Sequence, residues 1–131
     1  MKSTPKIGDT GELEFTVDAR HVIDFADDAL PAVLSTPNLI NHLERAAREA
    51  IAAHLESGES SLGTQIDVQH LAPTPLDQKV VCRARVIHVD GGTITFQIEA
   101  RDEQDLIARG SHKRSVVHKD RFAARVRRKS G

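Results

Sequence analysis

One stretch with helical periodicity, set between one strand pattern and four later ones, constrains the fold most. From Thr36 to Gly58, apolar residues recur at steps of three and four, which is typical of a helix with one buried face. The members of this stripe are Leu39, Ile40, Leu43, Ala46, Ala47, Ala50, Ile51 and Leu55. At 1.5 Å per residue, roughly twenty residues predict a helix of about 30 Å, long enough to cross a small sheet.

The sequence also predicts both ends of this helix. Thr36 is expected to be the N-cap, because its hydroxyl can accept a hydrogen bond from an unpaired backbone N–H group. Pro37 suits the first helical position, since the N–H group that proline lacks would have no partner there. Gly58 is expected to end the helix.

Alternating apolar and polar residues predict the strands. They are expected at Gly11 to Asp18, Thr64 to Leu71, Lys79 to Val89, Thr93 to Arg101 and Leu106 to Val117. Tight turns between the last three indicate an antiparallel meander. In the basic tail that follows, Phe122 and Val126 are expected to anchor a short terminal helix.

A lone helix and an antiparallel sheet can bury each other's apolar sides only if the sheet curls around the helix. We therefore predict an α+β hot-dog fold, in which an antiparallel sheet of about five strands wraps around one long central helix. The length of 131 residues predicts a single domain covering residues 1–131. Such sheets usually continue across a subunit interface, so we expect a homodimer with sites between subunits, or a higher oligomer.

Composition excludes several classes of partner. The formal net charge is -1 and the chain has four Phe but no Trp or Tyr, which argues against a nucleic-acid partner. No segment has the apolar length of a membrane span or signal peptide, so no membrane partner is expected. The single cysteine, Cys82, fits a reducing cytoplasm. The histidines lack the spacing of a metal site, so no metal is expected.

Glu44 occupies a position where the helical stripe predicts an aliphatic side chain. At 100° per residue it lies on the same side as Ile40 and Ala47. Because burial of an unpaired carboxylate costs several kcal/mol, Glu44 should be partnered or beside a cleft. A surface pair with Arg48, four residues later, is the structural alternative.

His70 ends an alternating strand, and a histidine in such a place is commonly structural or exposed. It would share a cleft with Glu44 and Thr36 if this strand packs beside the first half of the helix. A carboxylate, an imidazole and a hydroxyl at one pocket would supply a base or nucleophile, a proton carrier and a positioning donor. Together these groups suit acyl transfer.

Several short motifs occur in an order that resembles one family. They are Leu34-Ser-Thr-Pro37, Glu44, Ser61-Leu-Gly-Thr64, Val68-Gln-His-Leu-Ala-Pro-Thr-Pro75 and Gly110-Ser-His-Lys-Arg114. This set resembles the hot-dog thioesterases related to fluoroacetyl-CoA thioesterase, over nearly the whole chain. The resemblance implies that Thr36, Glu44 and His70 are catalytic. It also implies that Gly63 lets the backbone approach the acyl group and that Arg114 lies near the site.

His112 joins Gly63 and Arg114 as a candidate substrate-binding residue. It alternates with Ala108 and Gly110 on one strand face, so it is expected to point inward. A core or interface histidine is the structural alternative for this position.

By this resemblance the chain hydrolyses a small acyl-CoA thioester to a carboxylate and free CoA, without a cofactor. Glu44 would act either as a base toward water or as a nucleophile. The segment His21 to Leu34 is shorter than the phenylalanine-containing lid of the fluoroacetyl-specific enzyme and offers only Phe25, which argues against selectivity for fluoroacetate. The alternatives are a non-catalytic protein that binds acyl-CoA and, less favoured, a dehydratase, whose usual Asp/His pair is not evident.

Overall fold

The chain forms one curled antiparallel sheet, a long helix against it and a second helix at the C-terminus. The computed structural model describes residues 1–23 and 29–131. The elements are β1 (Thr10–Thr16), β2 (Val22–Ile23), β3 (Val33–Leu34), α1 (Thr36–Ile51), β4 (Glu59–His70), β5 (Lys79–Asp90), β6 (Thr93–Arg101), β7 (Leu106–His118) and α2 (Lys119–Lys129). The large sheet has the order β1-β5-β6-β7-β4, and β2 pairs with β3 in a separate small sheet.

The apolar stripe of α1 packs on the concave side of the sheet, mainly against β1 and β5. Leu39, Leu43 and Ile51 are fully buried there. The helix crosses β1 at Gly11, where an added Cβ would lie 2.3 Å from the carbonyl oxygen of Ala46. The close approach therefore requires glycine at this position. The helix packed against one curled antiparallel sheet confirms the predicted hot-dog fold.

The helix ends earlier than predicted. It stops at Ile51, and a 3₁₀ turn (Ala52–His54) precedes Gly58, so the prediction that Gly58 ends the helix is wrong. In this turn the His54 carbonyl oxygen accepts from the backbone N–H of Lys2 at 2.7 Å, whereas in a continued α-helix it would accept from the N–H of Gly58. The His54 ring also contacts Asp9 Oδ2 at 3.2 Å. These distant contacts could not be predicted from the local sequence.

The predicted strands are all present, and the bounds of Thr93–Arg101 are confirmed. The largest difference concerns β4, which begins at Glu59, five residues before the predicted start at Thr64. The register with β7 shifts between Gly63 and Gln65. Since β4 lies at an edge of the sheet, one side of this 12-residue strand has no neighbouring strand among the described residues.

The basic tail forms α2, as predicted, but its expected anchors do not pack. Phe122 and Val126 remain 40% and 45% exposed. Neither helix in the described ranges has the length and apolar character required to cross a membrane.

Candidate functional site

Thr36 and His70 lie side by side where α1 begins. The predicted N-cap is wrong by one residue, because Ser35 has the extended cap conformation and its Oγ accepts from the backbone N–H of Asn38 at 3.3 Å. Thr36 is therefore the first helical residue. Its hydroxyl lies 2.8 Å from His70 Nδ1. The sequence Ser-Thr-Pro thus provides a cap and a separate hydroxyl for the site.

The His70 ring is held in its neutral form. Burial lowers its pKa below the ordinary value, because a charged imidazole loses hydration there. Its Nε2 is buried and has no hydrogen-bond partner among the described residues. The ring borders a hollow of about 340 Å³ that Thr36, Leu34, Leu71 and Pro73 also line. A buried nitrogen without a partner beside such a hollow is a suitable place for proton exchange with a ligand or water.

Glu44 lies in a second cluster, on the next turns of α1. Its Oε2 is 3.3 Å from Nη1 of Arg114, and its side chain is 36% exposed. Within the described chain the ion pair of Glu44 is with Arg114 and not with Arg48, the partner in the structural alternative. An added Cβ on Gly63 would lie only 2.6 Å from Glu44 Oε2. The absence of a side chain at Gly63 therefore allows the carboxylate to approach β4.

Arg114 is a buried cation held by several partners. Its Nε donates to Ser61 Oγ at 2.9 Å, and its Nη2 donates to the Ser61 carbonyl at 2.8 Å. Burial lowers its pKa, while the neighbouring Glu44 carboxylate opposes this shift. Ser61 was missed as a site residue, because the strand prediction began after it. Its position beside Gly63, in an alternating pattern, was the available signal.

His112 completes the cluster and is only 1% exposed. Its Nδ1 lies 2.8 Å from the carbonyl oxygen of Gln65, which can only accept, so we assign the proton to Nδ1. Nε2 is then free to accept from Arg114 Nη1 at 3.1 Å. Burial lowers the pKa of His112, consistent with a neutral ring. His112 thus orients Arg114 and is not an ionic partner of Glu44, whose Oε2 lies 3.9 Å away.

The six predicted site residues therefore form two groups within one chain. Thr36 and His70 form one, and Glu44, Gly63, His112 and Arg114 form the other. Glu44 lines a different hollow, of about 250 Å³, together with Gly63 and His112. Eight residues separate Thr36 from Glu44, which corresponds to about 12 Å along α1. The crevice expected to contain Glu44 and His70 together is not formed by the described residues of a single chain.

Other chemistry is limited in the described residues. Burial raises the pKa of the Cys82 thiol to about 12, so the thiolate that a nucleophile requires is not populated near neutral pH. The described ranges contain no group of three His, Cys, Asp or Glu side chains arranged to hold a metal ion. Phe25, the single phenylalanine of the segment His21 to Leu34, lies outside the described residues.

Comparison with protein families gives one match that covers most of the chain. Residues 17–120 match the family described as "Fluoroacetyl-CoA-specific thioesterase". The chain is also 35% identical to the fluoroacetyl-CoA thioesterase of Streptantibioticus cattleyicolor, an alignment that covers 99% of this chain and 98% of that protein.

Solved structures of similar proteins share the fold. A mutant of fluoroacetyl-CoA thioesterase in complex with acetyl-CoA superposes with a TM-score of 0.88 at 31% identity, covering 96% of this chain and 99% of that one. A Thermus thermophilus protein of the thioesterase superfamily gives a TM-score of 0.88 at 27% identity, covering 96% of this chain and 93% of that one.

Proposed function

Because the chain belongs to the fluoroacetyl-CoA-specific thioesterase family and is a thioester hydrolase, we propose that it hydrolyses a small acyl-CoA through Thr36, Glu44 and His70. A related enzyme has been crystallised with acetyl-CoA, which supports a small acyl group. The observation that carries the assignment of residues is the contact of 2.8 Å between Thr36 Oγ1 and His70 Nδ1 at the start of a helix.

The start of α1 is suited to hold the thioester carbonyl. At this end of α1, Pro37 has no N–H and the Asn38 N–H donates to Ser35 Oγ. The N–H of Thr36 and the positive end of the helix dipole therefore remain to stabilise developing negative charge. The Thr36 hydroxyl lies at the same place and adds a donor. Together they would stabilise the oxyanion that forms when the carbonyl carbon is attacked.

Glu44 then supplies the attack in one of two ways. As a base, it takes a proton from water, whose oxygen bonds to the acyl carbon. As a nucleophile, it forms an anhydride that water later opens. In both, the C–S bond breaks and the CoA sulfur receives a proton. The buried Nε2 of His70 can carry that proton, because this nitrogen has no other partner among the described residues and the lowered pKa of the ring lets it pass the proton on.

The two groups lie apart within one chain, and we propose that a second copy of the chain brings them together in one site. The edge of β4 has no neighbouring strand among the described residues and is 12 residues long, which favours pairing with another strand. In an antiparallel pair of two β4 strands along their whole length, His70 of the partner subunit faces Glu59. A shift of two residues places it opposite Ser61, which contacts Arg114 and thereby adjoins Glu44.

Mixed dimers test this composite site together with the role of Glu44. Glu44→Gln and His70→Ala are each expected to lower kcat on acetyl-CoA by at least about 100-fold. If the two side chains come from different subunits, a mixed dimer of the two variants contains one intact site and one doubly altered site. It should therefore show about half of the wild-type activity.

The design requires two affinity tags, so that only mixed dimers are purified. A mixed dimer of wild type and Glu44→Gln should also show about half of the activity and serves as the control. If the mixed dimer of Glu44→Gln and His70→Ala is inactive while the control mixed dimer is active, each site lies within one subunit. A monomer in light-scattering measurements would contradict the dimer, and near-normal thiol release by Glu44→Gln and Glu44→Ala would contradict the role of Glu44.

Two further proposals follow from the same function. Hydrolysis needs no electron transfer, and in this proposal Glu44 and His70 supply the attack and the proton transfer, so we expect activity without a cofactor and in the presence of a metal chelator. We also propose a cytoplasmic location, supported by the single buried cysteine, since extracellular domains commonly rely on disulfides.

A further inference from the structure

A hollow of about 460 Å³ lies between the second half of α1 and the start of β4. Three cationic side chains line it: Arg45 and Arg48 from α1, and Lys119 from the start of α2. It is the largest of the hollows described, and the catalytic proposal makes no use of these three cations.

The two arginines are available to a ligand. Within the described residues, neither Arg45 nor Arg48 has a carboxylate oxygen within 4.0 Å, and both are exposed. Three acids also line the hollow, but the N-terminal ammonium neutralises Glu59 at 2.8 Å. The three cations therefore exceed the two remaining carboxylates, those of Glu49 and Glu56.

The hollow adjoins the Glu44 cluster. Ser61 lines the hollow and accepts a hydrogen bond from Arg114, which pairs with Glu44. Arg48 follows Glu44 by four residues, about one helical turn, so both side chains lie on neighbouring parts of one helix face. An elongated ligand with its reacting end at Glu44 can thus extend along α1 into the hollow.

We propose that this hollow binds the phosphate groups of the CoA nucleotide, through Arg45 and Arg48 with Lys119 at its edge. Arginine matches phosphate oxygens with two parallel N–H donors, and a CoA thioester separates its phosphates from the reacting carbonyl by a long, flexible arm. The inference rests on the proposed function, since it assigns the carrier end of the same substrate.

The test compares two substrates in one double variant, Arg45→Gln/Arg48→Gln. Acetyl-CoA carries the nucleotide, whereas acetyl-N-acetylcysteamine ends before it. The ratio of kcat/KM for acetyl-CoA to that for the truncated thioester should fall by about tenfold, because two charge-assisted contacts are lost on one substrate only. Arg85→Gln, which removes an exposed arginine on the outer side of the sheet, should leave the ratio as in wild type.

The outcomes separate this inference from the proposed function. If wild type hydrolyses acetyl-CoA and the double variant keeps the same ratio, the phosphate site is wrong while the enzyme assignment stands. If wild type releases no thiol from any acyl-CoA, calorimetric titration of wild type and of the double variant with CoA itself tests the phosphate site. Weaker binding by the double variant then supports the site, and equal binding, or none by wild type, overturns it.

Discussion

Thr36 Oγ1 contacts His70 Nδ1 at 2.8 Å because the preceding residue, Ser35, caps α1. Had Thr36 been the cap, its hydroxyl would point to the backbone N–H groups of its own helix. The cap of α1 and the proposed catalytic hydroxyl are therefore two different, neighbouring residues.

Ser35→Ala should therefore mainly lower stability, whereas Thr36→Val should mainly lower kcat. Ser35→Ala removes the cap and should lower the free energy of unfolding by about 1 kcal/mol. Thr36→Val keeps the shape of the side chain and should lower kcat by at least about tenfold, with a smaller loss of stability. Denaturant titration and steady-state kinetics on acetyl-CoA measure both. Equal effects of both variants on kcat would contradict the separation.

Gly63→Ala should impair catalysis more than folding. The added Cβ meets Glu44 Oε2 at 2.6 Å and Cε1 of the buried His112 at 3.0 Å. The carboxylate is the partly exposed end of a flexible side chain that can move away, whereas the ring must shift by a few tenths of an ångström. We expect a stability loss of about 1–2 kcal/mol but a fall in kcat of at least about tenfold, since displacement by about 1 Å can cost about 100-fold.

Gly58→Ala is the matched control, because nothing lies within 4 Å of a Cβ added there. Its kcat should stay within about twofold of wild type. A Gly63→Ala enzyme with wild-type kcat would show that the close approach of Glu44 to β4 has no catalytic importance.

Ser61→Ala should weaken the support of Arg114. It removes the side-chain acceptor of a buried guanidinium, and hydrogen bonds to charged groups are worth about 1.5–3 kcal/mol. We expect a loss of unfolding free energy in this range together with a lower kcat, measured on the same preparation. Ser60→Ala, one position earlier on β4, should change neither by more than about 0.5 kcal/mol or twofold. If Ser61→Ala and Ser60→Ala have the same stability and the same kcat, Ser61 does not anchor Arg114.

Stability should fall in mild acid because several histidines are buried in neutral form. Burial lowers the folded-state pKa of His42, His70 and His112 below that of the unfolded chain. The unfolded state therefore binds more protons as pH falls through about 6.5, and each group then costs up to about 1.4 kcal/mol per pH unit until its folded-state pKa is reached. The full stability is present above pH 6.5.

His42→Phe isolates one of these contributions, since His42 stacks on Phe15 with ring centroids 3.7 Å apart and a phenyl ring can replace it. The variant should lose less stability than wild type between pH 7 and about pH 5 in thermal or denaturant unfolding. His88→Gln, at an exposed position, is the control. An unchanged slope in His42→Phe would show that His42 does not contribute to the acid loss.

The local spacing of apolar residues predicted most of the helices and strands but not where α1 ends. The apolar stripe from Leu39 to Ile51 and the alternation in β6 are visible in sequence, because each depends on the period of its own element. Just beyond the end of α1, His54 contacts Lys2 and Asp9 near the N-terminus. The periodicity of the helix contains no information about those contacts.

The sequence by itself determined the order of the five strands of the large sheet, the long helix that this sheet must wrap and the unusual acid at Glu44, because periodicity and burial costs act along the chain. It did not predict the short strands β2 and β3. Only the tertiary structure decided that Arg114, seventy residues away, pairs with Glu44. It also decided that Thr36 contacts His70, and that this pair lies apart from the Glu44 cluster within one chain. Such pairings depend on strand register and on distances between elements, which no local pattern encodes.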